Sequence, residues 1–161
     1  AMIGACVFYY LALPLAVDAP VEGHVRVTST EAKFTSIVDS SGHSFLADEP
    51  LKVGGADLGP TPYDLLLSGL GTCTAMTIKL VADREGMPLK EVSVDLHHAR
   101  CHSEDCLATG EGKPKIEVIE RAITLTGELS DAQRSRLLVI ADKCPVHRTI
   151  ESHPVIKTRL A

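Results

Sequence analysis

The sequence predicts an α+β domain: an antiparallel strand meander, a buried central helix, two further strands, a second helix and a last strand. Three observations carry this. Apolar and polar residues alternate with period two between His24 and Ala47. The run Tyr63 to Arg84 repeats apolar residues every three to four positions with hardly a charge before Lys79. Ser130 with Gln133 has capping-box spacing ahead of another periodic stretch.

In chain order, His24–Thr28 and Phe34–Val38 alternate as half-buried strands, and Ser40-Ser41-Gly42 is a turn signal before a third strand at Ser44–Ala47. A loop rich in Gly and Pro runs from Pro50 to Pro62. The helix from Tyr63 to Arg84 carries Leu65, Leu66, Leu70, Met76, Leu80 and Val81, and a helix apolar on nearly every side is normally buried. Gly86-Met87-Pro88 stops it. Glu91–His97 and Ile116–Thr126 alternate as strands around a polar stretch with two cysteines. A helix from Ser130 to about Lys143 places Leu137, Leu138 and Ile140 inward, Cys144-Pro145 ends it, and Pro154–Leu160 reads as the last strand.

At 161 residues the chain has room for one sizeable core. The division is an apolar tail over 1–20 and a domain over 21–161. Met2 to Val17 carries no charge and is too short for a comfortable span. Packing on the protein or on a partner subunit is expected of it, with a membrane or export role the alternative. Net charge is −5 and aromatics make up 4% with no Trp, which argues against nucleic acid as a partner. Five widely spaced cysteines do not look like a secreted disulfide framework, so a reducing cytoplasm is expected.

Cys73 lies just after Gly69 and Gly71, each costing about 1 kcal/mol in a helix interior. A bend or a fresh start after Gly71 is expected there, which would put Cys73 in a first turn where a thiolate is favoured. Close packing of a small apolar Cys is the competing reading. Cys144 precedes Pro145, His147 and Arg148, and positive charge near it would lower its pKa; a plain helix cap is equally open. Cys101 and Cys106 with His97, His98 and His102 admit a metal site, an auxiliary redox pair or an exposed loop; no metal is expected. Glu117, Glu120 and Arg121 read as a solvated strand face.

Gly59-Pro60-Thr61-Pro62-Tyr63-Asp64-Leu65-Leu66-Leu67, the run Leu70-Gly71-Thr72-Cys73-Thr74 and the later Asp142-Lys143-Cys144-Pro145-Val146-His147-Arg148 together resemble the OsmC/Ohr family of hydroperoxide reductases. The likeness covers about Gly23 to Leu160. It implies the OsmC-like fold, an intertwined homodimer with interfacial active sites, Cys73 as the peroxidatic cysteine and Cys144 as the resolving one. It also implies organic hydroperoxides as substrates, an external dithiol as reductant (a lipoylated protein in many members), and no cofactor, since sulfur carries the electrons. Well-studied members pair a Glu at the start of the buried helix with a strand Arg. Here Tyr63 stands at that position, which leaves Asp64, Arg26, Lys33 and Arg148 as the auxiliary candidates. The alternatives are an OsmC-like fold kept for binding a small apolar ligand, and a thiol sensor or metal-binding protein.

Overall fold

The computed structural model describes residues 23–101 and 116–160. The apolar tail and most of the Cys101–Cys106 cluster lie outside them. The chain divides into two units, the first ending at Leu65 and the second starting at Leu66.

In the first unit, strands β1 (Val25–Ser29), β2 (Ser36–Ser40) and β3 (His43–Ala47) form the expected antiparallel meander in the order β1-β2-β3. Val27 pairs with Val38, and Val38 with Phe45. Ser41 and Gly42 both take positive φ, 47° and 81°, the primed turn whose twist suits a two-residue hairpin. Strand β2 begins two residues later than the alternation predicts. The reason is that Thr35 is spent on the preceding turn, where its carbonyl accepts from the Thr30 N–H and hydroxyl at 3.1 and 2.8 Å.

The loop after β3 is organised by Asp48. This buried carboxylate accepts hydrogen bonds from the Thr35 hydroxyl at 3.1 Å and from the N–H groups of Glu49, Ala56 and Leu58 at 2.8, 3.2 and 3.4 Å. A buried carboxylate is tolerated when its lone pairs are filled in this way.

Helix α1 (Pro62–Arg84) opens at a reciprocal cap. The Asp64 N–H donates to the Thr61 hydroxyl at 3.2 Å while the Asp64 carboxylate accepts from the Thr61 N–H at 2.9 Å. Contrary to the expectation of a restart after Gly71, the helix runs unbroken through both glycines, so Cys73 is an interior residue. Tertiary contact supplies the reason at Gly71, where an added Cβ would stand 2.7 Å from Leu96 Cδ1. The glycine lets helix and strand approach closely, which offsets its propensity cost.

In the second unit, β4 (Leu89–Cys101) pairs antiparallel with β5 (Ile116–Gly127), with Val94 opposite Ile123 and Leu96 opposite Arg121. Helix α2 (Asp131–Ala141) starts at the expected capping box of Ser130 and Gln133. The core joins Ile78, Val81 and Ala82 of α1 to Leu129, Leu137, Ile140 and Ala141, with Val92, Ile123 and Leu125 packed against it.

Three expectations need correction in this unit. First, α2 ends earlier, at Ala141 with Asp142 as its cap, and Cys144-Pro145 instead begins a further helix, α3 (Pro145–Glu151), because Pro is well suited to a first helical position. Second, Pro154–Leu160 forms no strand: the segment is exposed and has no ladder partner among the described residues. Third, α1 is buried along one side only, through Leu70, Gly71, Thr74, Ile78, Val81 and Ala82, while Leu66, Met76 and Leu80 stay exposed.

Candidate active site

The two cysteines carried by separate helices of the second unit come together. Cys73 lies half-buried on α1, and Cys144, fully buried, is the residue from which α3 starts. Both are free thiols, and they hydrogen-bond to each other. Residues far apart in sequence meet here because α1 and α2 share the core and the short turn after α2 delivers Cys144 back to α1.

Their electrostatics differ. Burial pushes the Cys73 thiol above its ordinary range, and donating its proton to Cys144 and facing the Cys144 charge push it further; the Val146 N–H and Thr77 hydroxyl oppose this. Burial works against the Cys144 thiolate as well. Donation from the Cys73 thiol, the His147 N–H, the Thr74 hydroxyl and the Val146 N–H outweighs it and holds Cys144 below its ordinary range. The two thiols therefore titrate as a coupled pair, with Cys144 the more acidic of the two. The two threonine hydroxyls each have one proton and a second acceptor, Leu70 O at 2.8 Å for Thr74 and Cys73 O at 2.7 Å for Thr77. The Val146 N–H is divided between the two sulfurs, so the His147 N–H is the undivided donor to Cys144.

Behind Cys144 stands a cation that the sequence reading placed on a solvated face. Arg121 of β5 has the same strand parity as Ile119 and Ile123, and its side chain is only 12% exposed. Its Nη1 donates to the Thr74 hydroxyl at 3.0 Å and to the Ala141 carbonyl at 3.4 Å, and its Nη2 to Asp142 Oδ1 at 2.7 Å. The signal was present in the alternation: a charged residue at an inward position needs a partner. Thr74 was missed for lack of any sequence signal.

A cavity of about 310 Å³ opens beside this network, walled by Leu70, Ile119, Ile123, Leu138 and Ile150, with Arg121, Asp142, His147 and Glu151 as its polar groups. His147 and Glu151 are paired at 3.1 Å.

The auxiliary candidates are placed as follows. Asp64 caps the start of α1, and its hydrogen bonds from the Thr61 hydroxyl and N–H hold its carboxyl below the usual range. Arg26 lies on β1 opposite Asp39, and Lys33 sits 4.6 Å above the Phe34 ring; both belong to the first unit, whereas the thiol pair belongs to the second. Arg148 is exposed on α3. Among the described residues no three His, Cys, Asp or Glu side chains gather as metal ligands.

Comparison with known proteins gives a consistent picture of the fold. An OsmC-like protein of Mycoplasma pneumoniae superposes with a TM-score of 0.63 at 17% identity, covering 81% of this chain and 87% of that one. The organic hydroperoxide resistance protein OsmC of Legionella pneumophila gives 0.59 at 20%, covering 83% and 91%. The organic hydroperoxide resistance protein OhrB of Bacillus subtilis gives 0.55 at 14%, covering 81% and 92%. No curated protein sequence matches the chain. The sequence model of OsmC-like proteins matches residues 54–159, both cysteines included, and the chain therefore belongs to the OsmC-like protein family.

Proposed function

We propose that the protein is a thiol-dependent peroxidase that reduces organic hydroperoxides to alcohols through Cys73 and Cys144. The observation that carries this reading is the hydrogen-bonded pair of free thiols, one half-buried and one fully buried. Cys73 is the sulfur that solvent reaches, so it meets the peroxide. Cys73 gives up its proton, and the Cys73 thiolate attacks the outer peroxide oxygen. The O–O bond breaks, the alkoxide takes a proton and leaves as the alcohol, and Cys73 is left as a sulfenic acid. Cys144 sulfur attacks it, an S–S bond forms and water leaves. A dithiol, such as a lipoyl group on a protein, then reduces the disulfide by exchange and is itself oxidised. The cycle uses no metal and no organic cofactor.

The organic hydroperoxide resistance proteins among the structural relatives support this substrate class. The odd number of dispersed cysteines supports work in the cytoplasm. A homodimer belongs to the same proposal. Leu66, Gly69, Cys73, Met76 and Leu80 fall at the three-four spacing of a helix-pairing seam on α1, and Leu66, Gly69, Met76 and Leu80 are exposed along it. A second copy would cover the stripe and enclose Cys73.

The test is consumption of cumene hydroperoxide with dihydrolipoamide as reductant. Turnover in wild type, loss in Cys73→Ser and arrest of Cys144→Ser after a single oxidation are expected. Turnover untouched by Cys73→Ser would sink the proposal. The apolar-walled cavity favours a second reading, a small apolar ligand held without chemistry, and wild type without turnover would leave that reading standing.

A further inference from the structure

The pairing of Arg121 is costly in a way that stability does not explain. An Arg–Asp bridge to a carboxylate as exposed as Asp142 contributes little. Withdrawing the guanidinium from water on the strand face that carries Ile119 and Ile123 is unfavourable, and an apolar side chain would suit that face better. What the arrangement does accomplish is mechanical and electrostatic. One side chain holds three groups: the Thr74 hydroxyl at 3.0 Å, the Ala141 carbonyl at 3.4 Å and the Asp142 carboxylate at 2.7 Å. Thr74 is the chain neighbour of Cys73, and Asp142 lies two residues before Cys144.

We propose that Arg121 is a positioning residue for the Cys73–Cys144 pair, tying α1 at Thr74 to the chain that leads into Cys144 and bringing a cation within one hydroxyl of the Cys144 sulfur. Sulfur–sulfur bonding tolerates little error in backbone spacing, so a clamp on both carriers has a direct chemical use. Filling a lone pair of the Thr74 oxygen fixes that hydroxyl and polarises it as a donor. The other titratable groups lining the cavity beside the pair are Asp142 at the end of α2 and His147 and Glu151 on α3, the last two bonded to each other. This role deepens the peroxidase reading and rests on it.

The test reads thiol chemistry in the full-length reduced protein. Iodoacetamide alkylation of the peptides containing Cys73 and Cys144 is followed by mass spectrometry across pH, with folding checked by circular dichroism. Arg121→Met is expected to move the alkylation midpoint of the pair up by about one pH unit and slow alkylation at neutral pH by up to about tenfold. Arg121→Lys, which keeps the charge, restores part of the shift. Thr74→Val moves the midpoint the same way, and Thr74→Ser, which keeps the hydroxyl, leaves it at the wild-type value. A folded Arg121→Met with the wild-type profile overturns the role. Should Arg121→Met fail to fold, a wild-type profile in Thr74→Val overturns it instead. Cumene hydroperoxide turnover is measured in parallel: wild type without turnover removes the peroxidase reading, whereas unchanged alkylation removes only the role of Arg121.

Discussion

At the scale of single residues, the two thiols are poised by unlike surroundings although they touch. Each sulfur is part of the other's environment, so deleting one retunes the survivor. Cys73→Ala removes a donor from Cys144, and the Cys144 pKa is expected to rise; Cys144→Ala removes both the acceptor and the neighbouring charge, and the Cys73 pKa is expected to fall. Thiolate absorbance in the ultraviolet, titrated for each variant, checks both directions. Asp48 provides the corresponding case in the first unit. Burial alone would raise its pKa, but the donors from Glu49, Thr35, Leu58 and Ala56 lower it below the ordinary carboxyl value. A depressed folded pKa contributes stability that is fully present above the unfolded value of about 4 and is lost as pH falls through the folded one. Acid unfolding of the wild type should therefore include a component that Asp48→Asn lacks, the variant being less stable at neutral pH and less sensitive below pH 4. Parallel pH titrations of thermal midpoints would reveal it.

Secondary-structure elements were legible in the sequence where a local rule had no tertiary rival. The meander followed from alternation and a Ser-Gly turn, and the start of α2 from Ser130 and Gln133. Ser130→Ala should cost about 1 kcal/mol of stability in denaturant unfolding. Legibility failed where a distant contact decided the outcome. Nothing local reveals that Leu96 lies against Gly71 and keeps α1 whole through a stretch whose propensity argues for a break. Gly71→Ala gains helix propensity of about 1 kcal/mol, and the atom it meets at 2.7 Å is the δ-methyl end of the Leu96 side chain, which can turn aside at a cost of about the same size. A stability within about 1 kcal/mol of wild type is expected in the same measurement. The site was half legible for the same reason. Both cysteines stand in motifs, whereas Arg121 and Thr74 matter only through contacts between strand, helix and turn.

For the molecule as a whole, the exposed apolar stripe on α1 is a departure, among the described residues, from a self-sufficient chain. Met76 and Leu80 are 67% and 69% exposed on a helix whose other side is fully packed. If two copies pair through this stripe as proposed, Leu80→Glu or Met76→Glu should leave the fold of the single chain intact and lower the mass seen by analytical ultracentrifugation from dimer to monomer. Gly69→Ala separates chain from assembly more finely. An added Cβ meets nothing within 4 Å in the single chain, so it should raise single-chain stability by about 0.5 to 1 kcal/mol while weakening association.

The meeting of Cys73 and Cys144 also carries a consequence for heat resistance. Joined by a covalent bond, these residues would close a loop of about 70 residues across the second unit, and the unfolded chain would lose freedom worth up to about 4 kcal/mol. Turnover would then alternate between a looser and a tighter molecule. The melting temperature of a sample would become a gauge of how much peroxide it has met and how much reductant remains.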